Sequence, residues 1–140
     1  MNESVLIDTG PLVSYLVRAA QYHEWAVEQW KRLTPPLYTC EAVLAEAAHL
    51  LRRENQSAEA VLELLELGVL KLAFSIEDEV ASLKYLIHKY RDVPMSMADA
   101  CLVRMSEKRD RCFIMTTDGD FRTYRRNSRQ AIPLLMPPGD

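Results

Sequence analysis

A short apolar run that ends in a carboxylate and then turns, Ser4-Val5-Leu6-Ile7-Asp8-Thr9-Gly10-Pro11, constrains this chain more than any other stretch. Apolar residues bounded by Gly and Pro read as a buried strand. Pro11 suits the first turn of a following helix, where its missing N–H costs nothing. In a parallel sheet covered by helices, ligands gather beyond the carboxyl ends of the strands, and Asp8 would stand at that edge. Taken alone, a strand-terminal Asp serves equally well as a helix cap or turn residue. Its weight depends on whether other acids recur at equivalent places.

The rest of the chain alternates between the two periodicities. A short helix is expected from Pro11 through Val17, and another near His23 that stops before Thr34-Pro35-Pro36. In the latter, Trp25, Ala26, Trp30 and Leu33 share a side, read as packing. Leu37 to Cys40 is a short strand candidate. Glu41 to Arg53 is strongly helical, with Val43, Leu44, Ala47, Leu50 and Leu51 at the 3.6 period. Ser57 suits the N-cap of a helix through Leu67, closed by Gly68. Val69 to Phe74 reads as a strand and Ile76 to Tyr90 as a longer helix. After Pro94, Ser96 opens a further helix with Asp99 three residues on, close to a capping box. Cys112 to Thr116 is the second clear buried strand, ending in Thr117-Asp118-Gly119-Asp120 and a short helix at Phe121. Ala131 to Leu135 is expected to add an edge strand. With 140 residues, no linker and no internal repeat, the chain reads as one domain spanning 1–140. Strands alternating with helices imply a parallel sheet covered on both faces.

Asp118 repeats the arrangement of Asp8: an apolar strand, a carboxylate, then Gly. Asp99 falls in the first turn of a helix with Ala98, Leu102 and Met105 as its apolar side. Glu46 lies between Leu44 and Leu50. Each has a plain structural reading, as a cap, a partner of the helix dipole or an exposed helix former. Jointly, two strand ends and two helix positions can bring acids to one crevice. Each pair of carboxylates at about 5 Å then costs roughly 3 kcal/mol at an effective dielectric of ~20. Protons or divalent cations would offset that repulsion. Oxygen ligands without His or Cys favour Mg²⁺ or Mn²⁺ over zinc, and cations held in this way promote phosphodiester hydrolysis.

Four segments, Ile7-Asp8-Thr9-Gly10-Pro11-Leu12-Val13, Val43-Leu44-Ala45-Glu46-Ala47, Met97-Ala98-Asp99-Ala100 and Thr116-Thr117-Asp118-Gly119-Asp120-Phe121, resemble the ordered acidic motifs of PIN-domain ribonucleases. The chain looks most like the small stand-alone members, the VapC-type toxins of toxin–antitoxin pairs. The resemblance implies a three-layer α/β/α sandwich with a central, mainly parallel sheet. It further implies Mg²⁺ or Mn²⁺ held by the acids, endonucleolytic cleavage of RNA, a homodimer and inhibition by a small antitoxin protein. Asp8, Glu46, Asp99 and Asp118 match the acidic tetrad, expected to be both catalytic and metal-binding. Asp120 matches a position that is often part of the pocket. Thr9 and Thr116 match small polar positions that could orient a carboxylate or water. A PIN-like module that binds RNA or protein without cutting, and an RNA-processing nuclease that is no toxin, share the same pattern.

Charge and cysteine content narrow the partners. The formal net charge of −3 argues against binding nucleic acid by bulk charge, yet the charge is unevenly spread. Residues 104–129 hold 8 Lys/Arg against 4 Asp/Glu, which suggests a basic rim beside an acidic pocket. Arg122 and Arg125 follow Asp118 closely and are the candidates for contact with RNA. The 3 cysteines show no metal spacing and are expected to be reduced and partly buried. No apolar run approaches the ~20 residues of a membrane span and no signal peptide precedes the first strand, so a cytoplasmic location without membrane contact is expected. Other phosphate chemistries fit poorly. GxxxxGK[ST] is absent, Gly10 stands where a haloacid-dehalogenase-type phosphatase needs its second Asp, and no Lys follows Lys108 to serve a receiver-type switch.

Overall fold

In the computed structural model, which describes residues 3–139, the opening run forms strand β1 (Ser4–Ile7), with Leu6 and Ile7 wholly buried. Helix α1 (Thr9–Leu16) follows without a loop. It starts two residues earlier than Pro11 suggested, because Asp8 caps it and accepts from the Thr9 N–H. Pro11 is thus third in the helix, still among the positions whose N–H lacks an intrahelical partner. Helix α2 (His23–Arg32), strand β2 (Leu37–Thr39) and helix α3 (Glu41–Arg53) come next. On α2 only Ala26 is fully buried. Trp25, Trp30 and Leu33 pack against the edge of the core, and Trp30 stacks on Tyr15 with ring centroids 3.9 Å apart. Their packing role stands.

Helix α4 (Glu59–Glu66) is led in by Ser57, whose hydroxyl accepts from the Glu59 N–H. Just past its end, Gly68 takes φ +79, a backbone state that costs glycine least. Strand β3 (Leu70–Leu72) is shorter than the apolar run from Val69 to Phe74. It lies at the sheet edge, pairing with β2 alone. The run from Ile76 to Tyr90 divides into a 3₁₀ turn (Glu77–Glu79) and helix α5 (Val80–Lys89). Helix α6 (Met97–Glu107) then leads to strand β4 (Cys112–Met115) and a 3₁₀ turn (Gly119–Arg122). The last segment is not one strand. Pro133 separates a small antiparallel hairpin, β5 (Arg125–Arg126) with β6 (Gln130–Ala131), from the edge strand β7 (Leu134–Leu135).

The five main strands are parallel, in the order β3-β2-β1-β4-β7. Helices pack on this sheet in the α/β/α manner: α1 lies against α2 and α3, while α6 lies against α5, β1 and β4. Helix α6 is buried almost all round, including Ala100, Cys101, Leu102 and Val103, so it has no single apolar side. A helix of that composition belongs inside a domain. All three cysteines are free and buried. No helix among the described residues is long and apolar enough to cross a membrane.

Candidate active site

The strand order fixes where a crevice must open. From β1 the chain moves outward to β2 and β3, then returns to place β4 on the other side of β1. Loops leaving the carboxyl ends of β1 and β4 therefore diverge, and such a switch point is where open α/β sheets bind ligands. Asp8 leaves β1 at this point and Asp118 follows β4. The two loops are joined: the Asp8 N–H donates to the Met115 carbonyl at 3.0 Å. Gly10 makes the closeness possible, since a Cβ there would sit 2.2 Å from the Thr117 hydroxyl.

Asp8 is buried, and both of its oxygens are held. The Thr9 N–H donates to Oδ1 at 2.7 Å and the Thr116 hydroxyl to Oδ2 at 2.7 Å. Thr116 Oγ1 in turn accepts from the Asp118 N–H at 2.9 Å, so one threonine ties both strand-end acids together. The Asp118 carboxylate accepts from the Asp120 N–H at 2.9 Å, which confirms its capping role. On α3, Glu46 is exposed, and its Oε1 accepts from the Thr9 hydroxyl at 3.0 Å. Both threonines thus orient carboxylates. On α6, Asp99 completes the capping box foreseen with Ser96.

The acids influence one another in pairs. Burial, with further contributions from Asp99 and Glu46, outweighs the two hydrogen bonds and raises the Asp8 pKa to about 6. Asp99 is likewise raised, first by burial, and it senses Asp118. Asp120 is half-buried and acts electrostatically on Tyr124, together with Asp99 and Asp118. Electrostatics thus links Asp8 to Asp99 and to Glu46, and Asp99 to Asp118. Among the described residues, no three His, Cys, Asp or Glu side chains close into a ready-made cage. The donor set still suits a hard cation. It is all oxygen and spread over separate elements, and Mg²⁺ commonly binds one or two carboxylates with water and substrate phosphate completing the shell.

Tyr124 is a member that the motifs did not reveal. It is wholly buried, and its hydroxyl donates to Asp99 Oδ2 at 3.1 Å. Burial beside the acids pushes its pKa up, so the phenol remains a donor. The usable signal was chemical: a tyrosine three residues after Phe121 that enters the core needs a partner for its hydroxyl. Arg122 is exposed and Arg125 half-buried. The Arg125 guanidinium folds back onto the carbonyls of Arg122 and Tyr124. A concavity of about 530 Å³ is lined by Ser4, Thr34, Tyr38 and Phe113 among others. It lies toward the amino ends of the strands, away from the acids.

A parallel sheet with strand-end acids flanking its switch point defines an open α/β class that binds ligands at that edge, and the sequence comparison makes the class specific. Residues 5–127 match the model of the PIN domain family, and the chain belongs to that family. Among solved structures it is similar to VapC20 of Mycobacterium tuberculosis, a toxin that cleaves the sarcin–ricin loop. The TM-score is 0.73 with 21% sequence identity, over 86% of this chain and 94% of that one. That likeness concerns the fold. Comparison with curated proteins by sequence returned no match.

Proposed function

We propose that this PIN domain is a divalent-cation-dependent endoribonuclease, the toxin of a toxin–antitoxin pair. What supports the reading is that Asp8 and Asp118 follow the carboxyl ends of β1 and β4, where the strand order reverses, and that Asp8 is linked electrostatically to Asp99 and Glu46. Asp8, Asp99 and Asp118 are the residues to hold Mg²⁺ or Mn²⁺, with Glu46 at the exposed side and Asp120 in support. The cation would supply charge neutralisation and activation of water for phosphodiester hydrolysis. The chain's own contribution is to fix the carboxylates: Thr116 holds Asp8 and the Asp118 backbone, and Thr9 holds Glu46. Tying down Oε1 of Glu46 leaves Oε2 to accept a proton from attacking water.

The structural neighbour's substrate makes a structured ribosomal stem-loop the first RNA to try. A homodimer and a small protein inhibitor would find exposed apolar side chains in Leu62, Leu67 and Tyr85. Buried, free cysteines are compatible with a reducing cytoplasm. The test is cleavage of a sarcin–ricin stem-loop and of an unstructured RNA in Mg²⁺, Mn²⁺ or EDTA, beside an Asp99→Asn control. Cleavage that persists in EDTA, or a wild-type rate in Asp99→Asn, would sink the proposal.

A further inference from the structure

Asp99 carries an asymmetry that the family motif does not explain. Its N-cap partner Ser96 donates its backbone N–H to Oδ2 at 3.3 Å, and Tyr124 donates its hydroxyl to the same oxygen at 3.1 Å. Among the described residues no hydrogen bond is given to Oδ1. Asp8 differs, because each of its oxygens has one donor. The Tyr124 ring is itself immobilised. It meets Phe121 and Tyr90 edge to face, each with centroids 5.1 Å away, at interplanar angles of 84° and 66°. Tyr90 is anchored in turn, its hydroxyl accepting from the Arg125 N–H at 2.9 Å. A wholly buried ring thus presents one donor, at fixed position, to one oxygen of one site carboxylate.

We propose that Tyr124 is a positioning residue that locks the Asp99 carboxylate so that Oδ1 is the oxygen offered to a divalent cation. The proposal rests on the metal-dependent reading of the site. Ser96 alone would leave the tilt of the carboxylate plane loose, since a single N–H tolerates a range of rotation about the terminal bond. Two donors converging on one oxygen, from the N-cap of α6 and from the segment before β5, narrow that range and leave the oxygen on the far side facing outward. The competing explanation is a core tyrosine whose hydroxyl needs any acceptor. It predicts a change in stability but none in affinity for the cation.

The experiment uses the intact protein and Mn²⁺ alone, with affinity read by calorimetry or by the paramagnetic signal of free Mn²⁺, and metal-free melting temperature alongside. Tyr124→Phe keeps the ring and deletes the donor. Outer partners of metal ligands typically contribute ~10–100-fold to affinity, so Tyr124→Phe should weaken Mn²⁺ binding about tenfold. At subsaturating Mn²⁺ it should lower kcat while leaving KM for RNA unchanged, with recovery as the metal is raised. Tyr90→Phe removes a hydroxyl from the same cluster without touching Asp99, and it should bind Mn²⁺ as the parent does. Asp99→Asn separates the two layers of argument. If it weakens Mn²⁺ binding while Tyr124→Phe does not, the inference is overturned and the metal site survives. If Tyr90→Phe weakens binding as much as Tyr124→Phe, ring packing is responsible and the inference is again overturned. If Asp99→Asn itself binds Mn²⁺ normally, the metal-site reading falls and this inference falls with it.

Discussion

At the scale of single residues, the site is a contest between burial and hydrogen bonding, and Asp8 shows which wins. Two short bonds favour its charged form, yet its pKa stands at about 6 against an ordinary 3.8. A carboxyl whose pKa is raised on folding binds its proton more tightly in the native state. The stability it contributes is therefore present at low pH and is lost as pH rises from the ordinary value through about 6. A shift of this size corresponds to about 3 kcal/mol. Metal-free protein should melt several degrees higher at pH 5 than at pH 7.5, and Asp8→Asn should flatten that dependence. An unchanged pH profile in Asp8→Asn would show that Asp8 is not the group concerned. Asp118 and Asp120 pose a different question, that of rank. Asp118 is fixed through Thr116 to Asp8, whereas Asp120 lies two residues further on, within the 3₁₀ turn and beyond the strand-end bonds. Asp118→Asn should abolish cleavage and Asp120→Asn should reduce it about tenfold, in keeping with a supporting partner of a metal site. Equal losses in a single-turnover assay would refute the ranking.

At the scale of elements, α6 does most to assemble the site, and it is held at both ends. Its first turn is closed by the Ser96–Asp99 capping box. Near its end, Arg104 and Lys108 reach Glu79, in the turn before α5, with Arg104 Nε 2.7 Å from Glu79 Oε1. Those bonds, Lys108 first, hold the Glu79 carboxyl below the usual range, so this contribution is present at neutral pH and lost on acidification. Ser96→Ala should cost about 1 kcal/mol of stability. It should slow cleavage no more than that loss explains, because the Ser96 backbone N–H that holds the Asp99 carboxylate survives the substitution. A melting curve and a rate from the same preparation check both halves. How far this was readable in sequence follows from the elements themselves. The strands β1 and β4 and the helix α3 announce themselves through long apolar runs or clean periodicity. The edge strands β3 and β7 are cut short by where pairing ends, which no local pattern encodes. The burial of α6 all round and the choice of Tyr124 as partner of Asp99 depend on contacts 25 residues apart, beyond the reach of periodicity.

At the scale of the whole molecule, the basic segment after residue 103 looks uniform in sequence but serves separate ends in the fold. Arg104 is spent on Glu79 and Glu107. The Arg109 guanidinium lies 4.1 Å from the centre of the Tyr38 ring, toward the amino ends of the strands. Arg126 is buried, donating to the carbonyls of Ser106 and Arg109 at the end of α6, where a cation also suits the helix dipole. Its Nε is the only buried side-chain nitrogen or oxygen among the described residues without a partner. The basic rim anticipated from charge counting is therefore smaller than the count implies; Arg122 and Arg129 are exposed, and the Arg125 guanidinium is engaged by backbone carbonyls. RNA must approach a cluster of carboxylates, so a positive edge close to Asp118 would assist binding before the charge is neutralised. Arg122→Gln in a cleavage-dead Asp99→Asn background should flatten the plot of log affinity for RNA against log salt by a little under one unit. In active protein it should raise KM far more than it lowers kcat. Arg126→Gln should behave in the opposite way, lowering the melting temperature while leaving the salt slope alone, because it exchanges a buried helix cap and not a phosphate contact. Binding isotherms at several salt concentrations decide between them. Identical slopes for the parent and Arg122→Gln would assign Arg122 to the solvated surface, and a flattened slope in Arg126→Gln would mean that the end of α6, not the edge beside Asp118, meets the RNA.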